Sequence, residues 1–188
     1  MTQKDNLRFG VIGAGRIGKI HAENLATRIP GVQVAAIADV DLKAAQDLAA
    51  HTLVPLAVED YHAILSDPTI DAVAICSSTD THAKIVIEAA RAGKHIFCEK
   101  PIDLSLERID AALEAVEKAG VKLQIGFNRR FDPNFRKVRT MVAEGRIGTP
   151  QIIRITSRDP APPPLSYVKV SGGLFLAGTR RAVEPVVD

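Results

Sequence analysis

Three glycines near the N-terminus have the spacing that brings a polypeptide backbone close to a phosphate group. Gly13, Gly15 and Gly18 follow the apolar run Leu7–Ile12, which we expect to be a strand. The first glycine permits a tight turn, the second admits a pyrophosphate to the backbone N–H groups, and the third allows close helix–strand packing. A helix expected over residues 16–27 adds partial positive charge at its N-terminus. The residues predicted to bind the dinucleotide here are Gly13, Ala14, Gly15, Arg16, Ile17 and Gly18.

An acidic residue follows the second apolar run. Residues 32–38 are expected to form a strand, and Asp39 comes directly after it. A carboxylate at this place accepts hydrogen bonds from both ribose hydroxyls and repels a 2′-phosphate. The order strand, glycine turn, helix, strand and aspartate therefore favours a dinucleotide site over an ordinary glycine turn. The predicted cofactor is NAD rather than NADP, and Asp39 is predicted to bind it.

Polar segments follow two later strands at their predicted carboxyl ends, where an open α/β sheet places its ligand. In residues 76–82, hydroxyl groups and a histidine could line the nicotinamide side of the cofactor; the predicted contacts are Ser77, Thr79 and His82. The alternative interpretation is a Ser/Thr helix cap beside a surface histidine. Both interpretations fit the residues.

The second polar segment is Glu99-Lys100-Pro101, directly after an apolar strand. Proline restricts the backbone, so Lys100 is a positioned cation that can donate to a substrate hydroxyl or relay its proton. A solvated lysine in a strand-to-loop turn is the alternative. A third segment contains Asn128, Arg129 and Arg130, which could donate hydrogen bonds to a polyhydroxylated substrate. A charged turn between two domains is an equally good interpretation of that segment.

Strands and helices alternate along the first two thirds of the chain. Continuous apolar runs indicate strands buried on both faces, as in a parallel sheet. This rhythm predicts an α/β fold with a doubly wound parallel (Rossmann) sheet over residues 1–126. The expected strands are 7–12, 32–38, 53–56, 72–76, 95–98 and 122–125. The expected helices are 16–27, 41–51, a short one to 65, 81–92, and one from Ser105 to Gly120 with Leu106, Ile109, Leu113 and Val116 on its apolar face.

The pattern changes after residue 126. Asp132-Pro133 predicts a helix start, and Gly145 its end. Residues 151–157 alternate apolar and polar side chains, which is typical of a strand with one exposed face. The proline-rich segment 159–164 excludes a helix or a central strand. We therefore expect residues 127–188 to be the incomplete start of an α+β substrate domain, with a divergent tail from about residue 177.

Composition excludes several classes of protein. The 188 residues are 46% hydrophobic and 24% charged, with a formal net charge of +2, so no nucleic-acid or membrane partner is indicated. The N-terminus has no signal-peptide pattern, and no apolar run approaches the roughly 18 residues of a spanning helix. Cys76 and Cys98 lie in apolar runs and are expected to be small core residues rather than metal ligands. We expect a cytoplasmic protein without a metal site.

Several of these motifs together carry a resemblance to a known family. Residues 13–18, Glu99-Lys100-Pro101 and the run Gly126–Phe135 resemble the glucose-fructose oxidoreductase/inositol dehydrogenase (Gfo/Idh/MocA) superfamily. The segments 157–164 and 167–175 are more specific and resemble its inositol 2-dehydrogenases. The resemblance extends from about residue 7 to residue 176.

The resemblance implies an activity and roles for single residues. It implies NAD-dependent oxidation of myo-inositol to the 2-keto inositol by hydride transfer, with Lys100 in the active site and Arg130 and Asn128 as substrate contacts. It also places Glu99 beside the nicotinamide and implies that intact members are homo-oligomers. A dehydrogenase of the same superfamily acting on another sugar or cyclitol is the nearest alternative.

The tail of the chain departs from the family pattern. After residues 171–175 the family continues with an aspartate and, four residues later, a histidine, whereas this chain has Ala177 and Arg181. A truncation or reading-frame change near residue 176 would explain this departure. We therefore expect an NAD-binding fragment with impaired dehydrogenase activity that does not form stable oligomers.

Overall fold

The computed structural model describes residues 6–156, and its centre is a six-stranded parallel sheet. The strands lie in the order β3-β2-β1-β4-β5-β6. They are β1 (Leu7–Ile12), β2 (Val32–Ala38), β3 (Leu56–Val58), β4 (Ala72–Ile75), β5 (His95–Cys98) and β6 (Leu123–Ile125). The helices are α1 (Arg16–Thr27), α2 (Leu42–Thr52), α3 (His62–Ser66), α4 (Thr79–Arg91), α5 (Leu106–Ala119) and α6 (Pro133–Ala143). This architecture confirms the predicted doubly wound α/β fold.

Strand β1 lies at the point where the strand order reverses. It pairs with β2 on one side and with β4 on the other, so Ile12 is in register with both Ala38 and Ile75. The carboxyl ends of these neighbouring strands consequently lie at one edge of the sheet. Ligands of open α/β sheets bind at such a reversal, outside the carboxyl ends of the strands.

The sheet separates two hydrophobic cores. On one face, Val11 and Ile37 pack with Ala22 of α1 and Leu48 of α2. On the other face, Ile75 belongs to a cluster of residues from α3, α4 and α5. All four residues of β4 are buried, as expected for a strand with helices on both faces.

Most helix ends agree with the sequence patterns. The Ser105 hydroxyl accepts a hydrogen bond from the Arg108 N–H at 3.4 Å, and Gly120 ends α5 in the left-handed region at φ 65°. The Asp132 carboxylate accepts from the N–H groups of Asn134 and Phe135 at 2.9 and 3.2 Å. These contacts satisfy N–H groups that a first helical turn leaves unpaired.

Two expectations for secondary structure were wrong in detail. The strand expected at 53–56 begins at Leu56, because α2 continues to Thr52 and Leu53 ends it with a left-handed φ of 56°. The apolar face expected for α5 is only partly correct: Val116 packs against the core and Ala112 is fully buried, whereas Leu106 and Leu113 are exposed. Because Ala112 is small, α5 packs closely against the alanines of α4. The larger side chains of α5 then lie at the edges of this helix contact.

A second compact unit begins at Gly126, directly after β6. It contains a 3₁₀ helix, Asn128–Phe131, followed by α6. The expected strand at 151–157 was wrong for its described part, since residues 151–156 form no strand and are exposed. A strand needs a neighbour for its N–H and C=O groups, and residues 126–150 contain no other strand. The expectations for residues 157–188, including Ala177 and Arg181, lie outside the described residues.

None of the helices within residues 6–156 combines the length and the apolar character that crossing a lipid bilayer requires.

Burial in β4 predicts a large effect on stability. Replacing the fully buried Ile75 by alanine should lower the free energy of unfolding by about 2–5 kcal/mol, because the cavity would lie between the sheet and the helices packed on that face. The control Leu113→Ala, 45% exposed, should change it by less than about 1 kcal/mol. Urea unfolding followed by circular dichroism measures both changes. Similar losses for the two variants would contradict the burial described for α5.

Candidate functional site

The glycine turn joins the end of β1 to the N-terminus of α1. Gly13 has φ +106°, and a Cβ there would lie 2.6 Å from the carbonyl carbon of Cys76. A Cβ on Gly18 would overlap the carbonyl oxygen of Gly13. Gly15 differs, because no atom outside its chain neighbours lies within 4 Å of a Cβ built there. Two glycines therefore pack the turn together, and the third faces open space where a ligand can approach.

Asp39 holds this turn in place. Its Oδ2 accepts a hydrogen bond from the Ala14 N–H at 2.6 Å, and its Oδ1 accepts from the Asp41 N–H at 2.9 Å. The Gly13 N–H donates to the carbonyl of Ala38 at 2.7 Å. The predicted ribose-binding carboxylate is thus also a structural link between the glycine turn and the end of β2.

A cavity of about 310 Å³ lies at the carboxyl edge of β1, β2 and β4. It contains the predicted residues Gly13, Asp39 and Ser77. The lining also includes Thr81 from the predicted segment 76–82, whereas sequence reasoning missed Val40, Glu59, Tyr61 and Lys84. Glu59 directly follows β3, so the rule that ligands gather at carboxyl ends could have identified it. Tyr61 and Lys84 are far from Asp39 in the sequence and come close to it only because of the order of the strands in the sheet.

Tyr61 lines this cavity, and the Glu88 carboxylate holds its hydroxyl group. The Tyr61 hydroxyl donates to the Glu88 carboxylate at 2.5 Å, and His62 Nε2 lies 3.4 Å from the same carboxylate oxygen. Burial, followed by the nearby Glu88 charge, raises the pKa of Tyr61 well above its usual value. Tyr61 is therefore a neutral hydrogen-bond donor at physiological pH, and its ring is held in one orientation.

The polar segment after β4 is tied to the start of α4. The hydroxyl oxygens of Ser77 and Thr81 are 2.7 Å apart, and the Thr81 hydroxyl also donates to the carbonyl of Ser78 at 2.7 Å. Thr79 is the first residue of α4. His82 lies deeper and is only 2% exposed. Its Nδ1 is 2.8 Å from the carbonyl oxygen of Pro101, and its Nε2 is 3.0 Å from that of Ser77.

The Glu99-Lys100-Pro101 segment follows β5 at the same edge. The Glu99 N–H donates to the carbonyl of Ile75 at 2.9 Å, which ties the segment to β4. The Glu99 carboxylate lies 2.8 Å from His21 Nε2 and accepts from the Lys100 N–H at 3.3 Å. The peptide bond between Lys100 and Pro101 is cis.

The electrostatic balance keeps Glu99 ionised. Burial alone would raise the pKa of Glu99, but the hydrogen bond and charge of His21, with smaller contributions from Lys100, outweigh it. The pKa of this carboxyl group therefore lies below its usual value. A half-buried carboxylate beside Lys100 is available at neutral pH.

Cys76 and Cys98 are core residues, as the sequence indicated. Both are buried free thiols. Burial, with a smaller contribution from the Glu99 charge, raises the pKa of Cys98 to about 12 and shifts that of Cys76 in the same direction. Within residues 6–156, no three His, Cys, Asp or Glu side chains are grouped so as to hold a metal ion.

The remaining predicted site residues belong to the second unit. Asn128 and Arg130 lie in its 3₁₀ helix. The Arg129 guanidinium lies over the ring of Phe135, 5.0 Å from the centroid, which fixes Arg129 on α6. The structure thus gathers the glycine turn, Asp39, Ser77 and Glu99 at one edge of the sheet. The roles of Asn128 and Arg130 toward a substrate remain predictions.

Comparisons with known proteins show the family of this chain. Residues 7–127 match the family model described as "Oxidoreductase family, NAD-binding Rossmann fold". The chain is 52% identical over 170 residues to the myo-inositol 2-dehydrogenase of Thermotoga maritima, covering 90% of this chain and 51% of the relative. The chain thus spans about half the length of the curated relatives that it matches.

Two solved structures extend the comparison. A probable dehydrogenase from Thermotoga maritima has a TM-score of 0.88 and 51% identity, over 93% of this chain and 52% of that chain. A scyllo-inositol dehydrogenase from Lactobacillus casei, crystallised with NAD(H) and scyllo-inositol, has a TM-score of 0.73 and 35% identity. That match covers 76% of this chain and 42% of that chain.

The surroundings of the glycines predict a large loss of stability on substitution at Gly18 and a small one at Gly15. Gly18→Ala should lower the free energy of unfolding by about 1–3 kcal/mol or more, because its Cβ would displace the Gly13 carbonyl. Gly15→Ala should cost less than about 1 kcal/mol, because its Cβ would meet open space and its φ of −68° suits alanine. Thermal and urea unfolding of both variants measure the difference. A more severe loss at Gly15 would refute the packing described for the turn.

Proposed function

This chain belongs to the oxidoreductase family with an NAD-binding Rossmann fold, and from that premise we propose that it supplies the cofactor-binding half of an NAD-dependent inositol dehydrogenase. The observation that carries the proposal is the assembly at one sheet edge of an open glycine turn, Asp39 and the Glu99-Lys100 pair. The cofactor is NAD. The reaction is oxidation of a ring hydroxyl of an inositol to a ketone.

The site fits a dinucleotide in shape and charge. The open space at Gly15, in front of the N-terminus of α1, accommodates a pyrophosphate beside unpaired backbone N–H groups. Asp39 would accept hydrogen bonds from the adenosine ribose through lone pairs that its two backbone partners leave available. The cavity beside Asp39 and Tyr61 would hold the adenine end. Ser77, which also lines that cavity, and Thr79 would contact the middle of the cofactor, and Glu99 would face the nicotinamide end.

A specific set of groups performs the chemistry in this proposal. Bound NAD⁺ supplies the hydride acceptor. Lys100 donates a hydrogen bond to the substrate oxygen and relays the hydroxyl proton to solvent, giving up one ammonium proton to water as it takes up the proton from the hydroxyl. The Glu99 carboxylate, fixed by His21, keeps negative charge beside the Lys100 ammonium group. Asn128 and Arg130 donate hydrogen bonds to the other ring hydroxyls and thereby orient the ring for oxidation.

Two relatives support an inositol as the substrate. The Thermotoga maritima relative is named for myo-inositol and the Lactobacillus casei structure for scyllo-inositol, two isomers of one cyclitol. The proposed substrate of the whole protein is myo-inositol. A second candidate function is NAD binding without efficient turnover. Ala177 and Arg181 favour it, since they stand where the family pattern has an acid and a histidine.

Cofactor preference tests the role of Asp39. The chain should bind NADH at least roughly tenfold more tightly than NADPH, because a 2′-phosphate would lie against a carboxylate. Asp39→Asn removes the charge but keeps an oxygen for the Ala14 N–H, so the two affinities should approach each other to within about threefold. Calorimetric titration with both cofactors measures the ratio, and Asp47→Asn, an exposed aspartate on α2, is the control. Equal affinities in the unmodified chain would exclude this role.

A turnover assay tests the second candidate function, which is NAD binding without efficient turnover. The purified chain should bind NADH yet oxidise myo-inositol at least roughly 100-fold more slowly than the Thermotoga maritima relative, since loss of a general base costs about 10²–10⁴-fold. Lys100→Met should abolish the residual inositol-dependent NADH formation, whereas Lys43→Met, an exposed lysine on α2, should not. NADH absorbance with myo-inositol, scyllo-inositol and glucose provides the measurement. Turnover near that of the relative would refute the dependence on the aspartate and histidine that Ala177 and Arg181 replace.

A further inference from the structure

Two histidines contact the Glu99–Pro101 segment from different helices. His21, on α1, places its Nε2 2.8 Å from the Glu99 Oε1 atom. Its ring also packs against that of Phe97 with a centroid distance of 4.8 Å, and its side chain is 25% exposed. Phe97 belongs to β5, so the His21 ring bridges from the helix after the glycine turn to the strand that leads to Glu99.

His82 contacts the other end of the same segment. Its two ring nitrogens lie within hydrogen-bond distance of the carbonyl oxygens of Pro101 and Ser77, and the side chain is buried. The ring therefore connects the loop after β4 with the loop after β5. Both neighbours are carbonyl oxygens, so a neutral ring donates to one of them and packs against the other, and a side chain that is only 2% exposed leaves almost no surface for the direct cofactor contact that the sequence suggested. The buried ring lies between the two loops and sets their separation.

The two histidines act from opposite sides of the sheet. Helix α1 packs in the core that contains Val11 and Ile37, whereas α4 packs in the core that contains Ile75 and Val86. The segment between Cys98 and α5 has no regular secondary structure of its own. The position of Glu99–Pro101 consequently depends on side-chain contacts from both layers as well as on the backbone hydrogen bond from Glu99 to β4, whereas Asp103 farther along the segment is paired with Arg108 of α5.

We propose that His21 and His82 are positioning residues that together hold Glu99 and Lys100 against the nicotinamide end of the cofactor. The proposal rests on the proposed function, since it takes the nicotinamide to lie beside Glu99. Reacting groups must be held within about 0.5 Å to be effective, and a loop gains that precision from surrounding hydrogen bonds. His21 also connects α1, whose N-terminus lies at the pyrophosphate, to Glu99. The same helix therefore helps to position both ends of the cofactor site.

The experiment compares two ligands on five variants. NADH contains the nicotinamide, whereas ADP contains only the adenosine and pyrophosphate portion that binds at the glycine turn and Asp39. His21→Leu and His82→Leu should each weaken NADH binding roughly tenfold, as expected for losing one or two hydrogen bonds, while ADP affinity stays within about twofold. His21→Gln and His82→Gln keep an N–H donor and should recover most of the NADH affinity.

A third histidine offers a matched control. His51 on α2 pairs with Glu23 at 3.3 Å, as His21 pairs with Glu99, but this pair is exposed and links α2 to α1 rather than to the segment Glu99–Pro101. His51→Leu should leave both affinities unchanged. Calorimetric titration measures the affinity of each variant for NADH and for ADP. Thermal unfolding verifies that each variant is folded.

The outcomes separate the two proposals. Failure of the unmodified chain to bind NADH would overturn the proposed function, and this inference with it. Normal NADH binding by both leucine variants would overturn the inference alone. Equal weakening of NADH and ADP, or no recovery with glutamine, would also overturn it, because the histidines would then support the fold generally. Selective loss of NADH affinity with recovery by glutamine would support it.

Discussion

The close approach of α1 to the ends of β1 and β4 determines the geometry of the whole site. The carbonyl of Gly13 lies where any side chain at position 18 would have to be, and Gly13 itself lies against the backbone of Cys76. This contact is possible only without Cβ atoms at both glycines. It sets the direction of α1, and therefore both the position of its N-terminus at the open turn and the position of His21 near β5.

The carboxyl edge of the sheet is consequently built from backbone groups held by a few polar side chains. Asp39 secures the glycine turn, Glu99 is tied to β4 through its N–H, and His82 spans two loops. These contacts, made by two side chains and by the Glu99 backbone, involve backbone groups at or just after the ends of strands. The hydrogen bonds that complete the fold at this edge are thus the same ones that shape the site. The hydrogen bonds that pair these backbone groups also make this edge of the sheet rigid.

The sequence predicted those parts of the fold and site that depend on local patterns. The bounds of β1, α1, β2 and β5 follow from apolar runs and glycines, and the structure confirms them. Leu53 was assigned wrongly because its apolar character concealed its left-handed backbone, which α2 requires to end. Tyr61 joins the cavity lining only because β3 lies beside β2, and strand order is not a local property. The contacts of His82 with two loops depend on the same non-local arrangement.

The double role of Asp39 connects cofactor choice to the shape of the glycine turn. A change that removes both carboxylate oxygens would release the N–H groups of Ala14 and Asp41 together with the ribose contact. Accepting a 2′-phosphate therefore requires more than removing a negative charge, because another acceptor must hold Ala14 in place. Glu59 adds a second carboxylate to the same cavity, whereas Lys84 is the cation in its lining. The proposed preference for an unphosphorylated ribose would thus rest on the hydrogen bonds of the fold as well as on its charge, and changing it would require coordinated substitutions at the ends of β2 and β3.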